Sequence, residues 1–194
     1  MKNWIIGYIA KRHQRMRSAI ILRLSSNKNV VGRPKTLIPV QYEGLGTIEF
    51  GENVQLGCKP SPYFYDGITY LEARHPGSQI LIHSDCMINN GFVAIADKSS
   101  ITIESGALIG TNVEIIDSDF HEMNPESRNG GNHKIAPVHI ERNVFIGSNV
   151  KICKGVRIGE NSVIGNGAIV LKDIPANSIA FGNPANVIQK IDEQ

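Results

Sequence analysis

Among the six histidines of this 194-residue chain, His121 has the company that chemistry asks for. Imidazole, with an ordinary pKa of about 6.5, takes up or releases a proton near neutral pH. Asp117, Asp119 and Glu122 stand within four residues of it, so each is a candidate to orient the ring. The segment that follows holds Pro125, Gly130 and Gly131 and departs from the hydrophobic rhythm on either side. His121 therefore stands at the root of a loop, and loops held by a rigid scaffold are where catalytic groups concentrate. Taken by itself, the same placement also suits a surface histidine. The other histidines are less suggestive: His13 lies in a basic helix, His75 near a turn, His83 in an early coil, His133 in the loop and His139 just before the re-entry strand, with no compact ligand set. Cys58, Cys86 and Cys153 form no CxxC pair and are odd in number. That argues against a disulfide framework or zinc knuckle and points to a reducing cytoplasm.

The scaffold that must hold His121 is legible in a six-residue period. Ile140, Ile146, Ile152, Ile158, Ile164 and Val170 recur at every sixth position, and Val144, Val150, Val156, Ser162, Ala168 and Ile174 each follow four later. An α-helix cannot keep both sets on one face, and Gly147, Gly159 and Gly165 would each cost it roughly 1 kcal/mol. A strand can, because both offsets are even. Such a period predicts a parallel β-helix, whose stacked coils hydrogen-bond only to their neighbours. The rhythm starts weakly at Phe50-Gly51 and Leu56-Gly57, and breaks at 60–67 into a protruding loop. It resumes at Ile82, Ile88 and Ile95, slips at Ile101 to Ile103, and runs on through Ile109 and Ile115. The next aliphatic is due at position 121, where the histidine stands instead. The expected division is a basic helix and connector over 1–40, a β-helix over 41–180 with a loop excursion at 121–139, and a tail over 181–194.

The formal net charge of +2 hides an asymmetry. Residues 1–35 carry nine of the 20 basic residues and no acid, which leaves 11 basic against 18 acidic residues in the remainder. Residues 3 to about 24 read as a helix with Ile5, Ile9, Met16 and Ile20 near one face. That face is expected to pack on the open end of the β-helix and cover its strand edge. The alternative is a basic amphipathic segment in peripheral contact with an anionic membrane. The apolar run Trp4 to Ala10 is far short of the roughly twenty residues needed to span a bilayer, and no leader peptide is expected. No aromatic interleaving or recognised module points to nucleic acid.

The IG hexads together with IIDSDFHEMNP, NVFIGSNV, GAIVLKDIP and AFGNPANVI resemble the hexapeptide-repeat acyltransferases, over roughly residues 46–191. The likeness is to the sugar O-acetyltransferase branch, with galactoside, maltose, capsule and O-antigen acetyltransferases. It implies coils that wind left-handed, an exception to the usual crossover. The expected fold is thus mainly β, a left-handed parallel β-helix with an N-terminal helix and a protruding loop. The resemblance also implies acetyl-CoA as co-substrate, no metal, and a cytoplasmic homotrimer with sites between subunits. In that family a histidine takes the proton of an acceptor hydroxyl as it attacks the thioester, without an acyl-enzyme; the matching residue here is His121. Phe145 and Ser148 match positions beside the pantetheine arm, and Asn166, Leu171 and Lys172 follow the rest of the CoA path. Lys190 is a further cation for its phosphates, with Lys151 and Lys154 also available. Asn90, Asp119 and Met123 are the acceptor-binding candidates. The family's basic residue after GNPA is Asn186 here, a departure at one expected phosphate contact. The expected reaction is acetyl transfer to a sugar hydroxyl on a cell-surface polysaccharide, its precursor or a nucleotide sugar. The alternatives are N-acetylation of a nucleotide-linked amino sugar and, further off, a metal-dependent hydratase of the γ-carbonic anhydrase type.

Overall fold

The structure, a computed structural model, describes residues 2–191, with side chains from Ile6 onward. Short strands follow an N-terminal helix, α1 (Lys2–Leu24), and fall in turn onto three sheets of six, eight and six strands. Each strand pairs in parallel with the strands one coil before and one coil after, and only the last, Ala185–Lys190, runs antiparallel to its neighbour. This is the parallel β-helix that the period predicts. Where the stack is regular, each coil takes 18 residues, as in the pairs Phe145 with Val163 and Lys151 with Ile169. The register stretches to 32 residues between Gln55 and Met87 and to 37 between Leu108 and Phe145, where loops are inserted.

The inner wall is made as the spacing requires. Ile140, Ile146, Ile152, Ile158, Ile164 and Val170 are fully buried, and the second inward set is buried with them. Ser162 is the polar member of that set: its hydroxyl donates to the Pro175 carbonyl at 2.8 Å and accepts the Ser178 N–H at 3.2 Å. A buried hydroxyl with both partners escapes the penalty of an unpaired one. The corners between the first and second sheets need a left-handed residue in every coil. Asn53, Asp85, Asn143, Asn161 and Asn177 supply it, all with φ between 53° and 63°. Asparagine and aspartate tolerate that region better than other side chains. The Asn161 amide donates to Asn177 at 2.9 Å, and Asn143 to Asn161 at 3.3 Å, so the corner residues also form a ladder. Gly106 takes the same corner in the coil before Asn143, where a Cβ would lie 2.6 Å from the Asn143 Oδ1.

At the N-terminal end, α1 covers the first coil, but through the opposite face from the one expected. Gln14 is buried, with Ala10, Arg17, Ser18 and Ile21 partly so. The Gln14 amide donates to the Phe64 carbonyl at 2.5 Å, and the Arg17 guanidinium to the Gly67 carbonyl at 2.9 Å and to Gln14 at 2.7 Å. Ile9, Met16 and Ile20 are instead 59%, 57% and 51% exposed; the side chain of Ile5 lies outside the described residues. Carbonyls of the 60–67 loop supply the anchoring acceptors, and these demand polar partners. The connector does not stay outside the stack: Val30–Val31 and Lys35–Thr36 already lie on the first and second sheets.

Candidate active site

The chain leaves the coil stack after the strand Glu114–Ile116. Asp117 is fully buried there and accepts the N–H groups of Asp97 at 2.7 Å and Ser99 at 2.8 Å, while burial raises its pKa. The loop closes on itself at its root. Ser118 and Ile135 form an antiparallel bridge, the Asp119 N–H donates to the Lys134 carbonyl at 3.1 Å, and the Ala136 N–H to the Asp117 carbonyl at 2.9 Å. The Asp119 carboxylate is paired with Lys154 at 2.5 Å, which ties the root to the following coil.

Phe120 then turns the chain outward. Its φ is +59°, its N–H donates to the Ser118 hydroxyl at 2.9 Å, and the Arg74 guanidinium covers its ring at 4.8 Å. An aromatic residue in the left-handed region is held there by its surroundings. The His121 N–H donates back to the Asp119 carbonyl at 2.7 Å, closing a three-residue turn centred on Phe120. This places the imidazole at the surface with Nδ1 3.3 Å from the Arg128 carbonyl. A carbonyl only accepts, so the bond puts the proton on Nδ1 and leaves the Nε2 lone pair free.

None of the three carboxylates proposed to orient the ring touches it. Asp117 caps backbone amides, Asp119 holds Lys154, and Glu122 knits the loop from within. Glu122 accepts the Ser127 hydroxyl at 2.5 Å and the Asn132 N–H at 3.1 Å, and these bonds, the hydroxyl first, lower its pKa. Its own N–H donates to the Arg128 carbonyl at 3.3 Å, the same oxygen that faces His121. The far side of the loop is anchored by His133, whose Nε2 lies 2.7 Å from the Asp97 carboxylate. Asp97 is buried and also meets Arg74 at 3.4 Å and His75 at 3.5 Å. His133 Nδ1 is buried without a partner. Sequence reasoning missed Asp97 and the Arg128 carbonyl. No local signal marks either, since coil stacking alone brings residue 97 beside residue 133.

The donor-path candidates divide between two edges of the third sheet. Phe145, Ser148 and Asn166 lie where the second sheet turns into the third. Phe145 is 47% exposed, and Ser148 accepts the Thr111 hydroxyl at 2.9 Å while its N–H donates to Asn166 Oδ1 at 2.8 Å. Leu171 and Lys172 lie at the opposite edge, on the side where the His121 loop departs. Both are exposed, and Lys172 has no partner among the described residues. The other cations are engaged: Lys151 with Glu114 at 2.6 Å, Lys154 with Asp119, and Lys190 with the Ser178 hydroxyl at 2.9 Å and the Ala176 carbonyl at 3.2 Å. Asn186 donates to the Pro184 carbonyl at 3.0 Å.

Of the acceptor-side candidates, Met123, two residues after His121, is exposed, and Asp119, two residues before it, is half-buried. Asn90 needs correction. It is fully buried, its Oδ1 accepts the Cys58 N–H at 3.0 Å, and its amide donates to the carbonyls of Cys58 at 3.1 Å and Pro62 at 2.7 Å. With its hydrogen bonds spent on backbone, it anchors the 57–68 loop and offers nothing to an acceptor. Among the described residues of one chain no three His, Cys, Asp or Glu side chains gather as a metal site.

Comparison with known proteins agrees with the fold. Residues 137–172 match the bacterial transferase hexapeptide (six repeats) family. Over 183 residues, 94% of this chain and 81% of the relative, the sequence is 32% identical to the galactoside O-acetyltransferase of Lactococcus lactis subsp. lactis (strain IL1403). Among solved structures, the polySia specific acetyltransferase NeuO superposes with a TM-score of 0.58 at 28% identity, over 84% of this chain and 73% of that one. A galactoside acetyltransferase in complex with coenzyme A gives 0.53 at 25% identity, over 94% and 82%. These neighbours are consistent with the left-handed winding expected.

Proposed function

Because the chain belongs to the hexapeptide-repeat acetyltransferases and uses acetyl-CoA as its donor, we propose that it transfers the acetyl group to a hydroxyl of a sugar, with His121 as general base. The acceptor sugar belongs to a cell-surface polysaccharide, its precursor or a nucleotide sugar. One observation carries the role of His121: its Nδ1 faces the Arg128 carbonyl at 3.3 Å, which leaves Nε2 as the proton acceptor. Nε2 takes the hydroxyl proton as the oxygen attacks the thioester carbonyl. The new C–O bond forms, the C–S bond breaks, and the proton passes from the imidazolium to the departing sulfur of CoA. A base of this kind contributes about 10² to 10⁴ in rate, or roughly 3 to 5.5 kcal/mol.

The donor is bound between subunits of a homotrimer. Two features support that arrangement. Within one chain the His121 loop and the Phe145–Ser148–Asn166 group occupy different edges of the third sheet, so a neighbour's edge is needed to bring them face to face. The outward row of the second sheet, Met87, Leu108 and Phe145 in register, is exposed and apolar, whereas that of the first carries Thr102, His139 and Arg157. A bare apolar row of this kind suits contact with another copy. Phe145 and Ser148 then lie beside the pantetheine arm, Leu171 follows the rest of the CoA path, and Lys172 is the cation offered to a CoA phosphate. A reducing cytoplasm, where acetyl-CoA is available, is the compartment this reading implies.

The test is acetyl-CoA turnover by wild type and His121→Ala against a panel of hydroxyl and amino sugars. Turnover with a hydroxyl acceptor and a loss of about 10² or more in the variant are expected. Full activity in His121→Ala would sink the base assignment, and acetylation of amino groups alone would move the reaction to N-acetyl transfer.

A further inference from the structure

The rest of the chain leaves the outer face of α1 bare. Ile6, Ile9, Met16, Ile20 and Leu24 follow one another at steps of three, seven, four and four residues, which keeps them on one side of a helix. All five are more than half exposed. Arg12 and Arg23, both exposed, each follow an isoleucine of this stripe by three residues and border it with positive charge.

Charge decides what covers this end. Nine basic residues and no acid occupy positions 1–35, so a second α1 laid on the first would bring like charges together. An anionic bilayer satisfies both features, since its interface accepts the apolar stripe and its phosphates meet the arginines. No helix of the described residues is long and apolar enough to cross a membrane, so α1 is fitted to lie in the interface plane.

We propose that α1 is a peripheral anchor that lays its exposed stripe on an anionic phospholipid surface, with Arg12 and Arg23 at the border of the stripe meeting the lipid phosphates. The active-site loop springs from a coil far along the stack from α1, so membrane binding and catalysis are separable.

Co-sedimentation of the full chain with vesicles tests this. Wild type should pellet with phosphatidylcholine vesicles containing about one-third phosphatidylglycerol, at least about tenfold more strongly than with pure phosphatidylcholine, and salt should weaken the binding. Ile9→Glu/Ile20→Glu should abolish binding while leaving acetyl-CoA turnover and sedimentation mass unchanged, because both side chains point away from the body. Arg12→Ala/Arg23→Ala should weaken the anionic preference several-fold. Wild-type protein that stays in the supernatant with anionic vesicles overturns the proposal, as does unchanged binding by either variant. A lowered sedimentation mass in Ile9→Glu/Ile20→Glu overturns it as well, by showing that the stripe contacts a second copy.

Discussion

The coil from Val138 to Ile158 and the loop from Asp117 to Pro137 are neighbours in sequence and opposites in construction. In the coil, each backbone strand is satisfied by the coil above and the coil below, and the side chains that point inward are aliphatic. In the loop, the bonds are mostly its own: the Ser118–Ile135 bridge, Glu122 with Ser127 and Asn132, and His121 with the Arg128 carbonyl. The inward residues of the coil hold the fold and take no part in the chemistry. The loop has a histidine in a defined tautomer and a framework of hydrogen bonds at the surface, where such bonds are individually weak. Scaffold and chemistry are therefore carried by separate residues, and substitutions should separate them too.

The sharpest contrast pairs His121→Ala with Ile152→Ala. The first should cost about 10² to 10⁴ in kcat/KM and leave the thermal transition unchanged, since His121 is exposed and one long hydrogen bond is lost. The second should cost about 2 to 5 kcal/mol in urea unfolding, because Ile152 is fully buried between two coils. An activity loss in proportion to unfolding for both would erase the distinction. Asn90→Ala, which strands the backbone groups of Cys58 and Pro62, should cost about 1 to 3 kcal/mol and loosen the 57–68 loop without changing acceptor preference. A change in acceptor KM there would return Asn90 to the binding site. Lys172→Ala should raise KM for acetyl-CoA by about twofold to fivefold at constant kcat, the range of an exposed ion pair.

Glu122→Gln gives the smallest effect and the most local one. Because the Ser127 hydroxyl and the Asn132 N–H hold the Glu122 carboxylate below its ordinary range, its contribution to loop order is complete above about pH 4.3 and fades as pH falls through the lowered value. Protection of the amides of residues 122–132, measured against their intrinsic exchange rates, should therefore fall in acid for the wild type. In Glu122→Gln it should already be low at neutral pH, with no further acid step.

Much of this was legible beforehand. The six-residue period located the inner wall from Ile140 to Ile174 residue by residue, because a strand's alternation fixes which side chains point inward wherever the neighbours sit. The place where the rhythm fails located His121. Less was legible at α1, where the apolar residues expected to pack are the ones left bare, and at Asn90, whose amide serves a loop instead of a ligand. In both cases the outcome depends on which backbone groups of the 57–68 loop need partners, and no local pattern encodes that.

The sequence by itself determined which residues of the coil face inward and, through its motifs, the family it resembles. The first follows from short-range spacing, repeated often enough to leave no second register in which the aliphatics are buried. Only the tertiary structure decided which atom of His121 is free, what anchors its loop, and which face of α1 meets the body. Those depend on contacts such as His133 with Asp97, 36 residues apart and one coil removed. Stacking creates such contacts, and a single strand carries no trace of them.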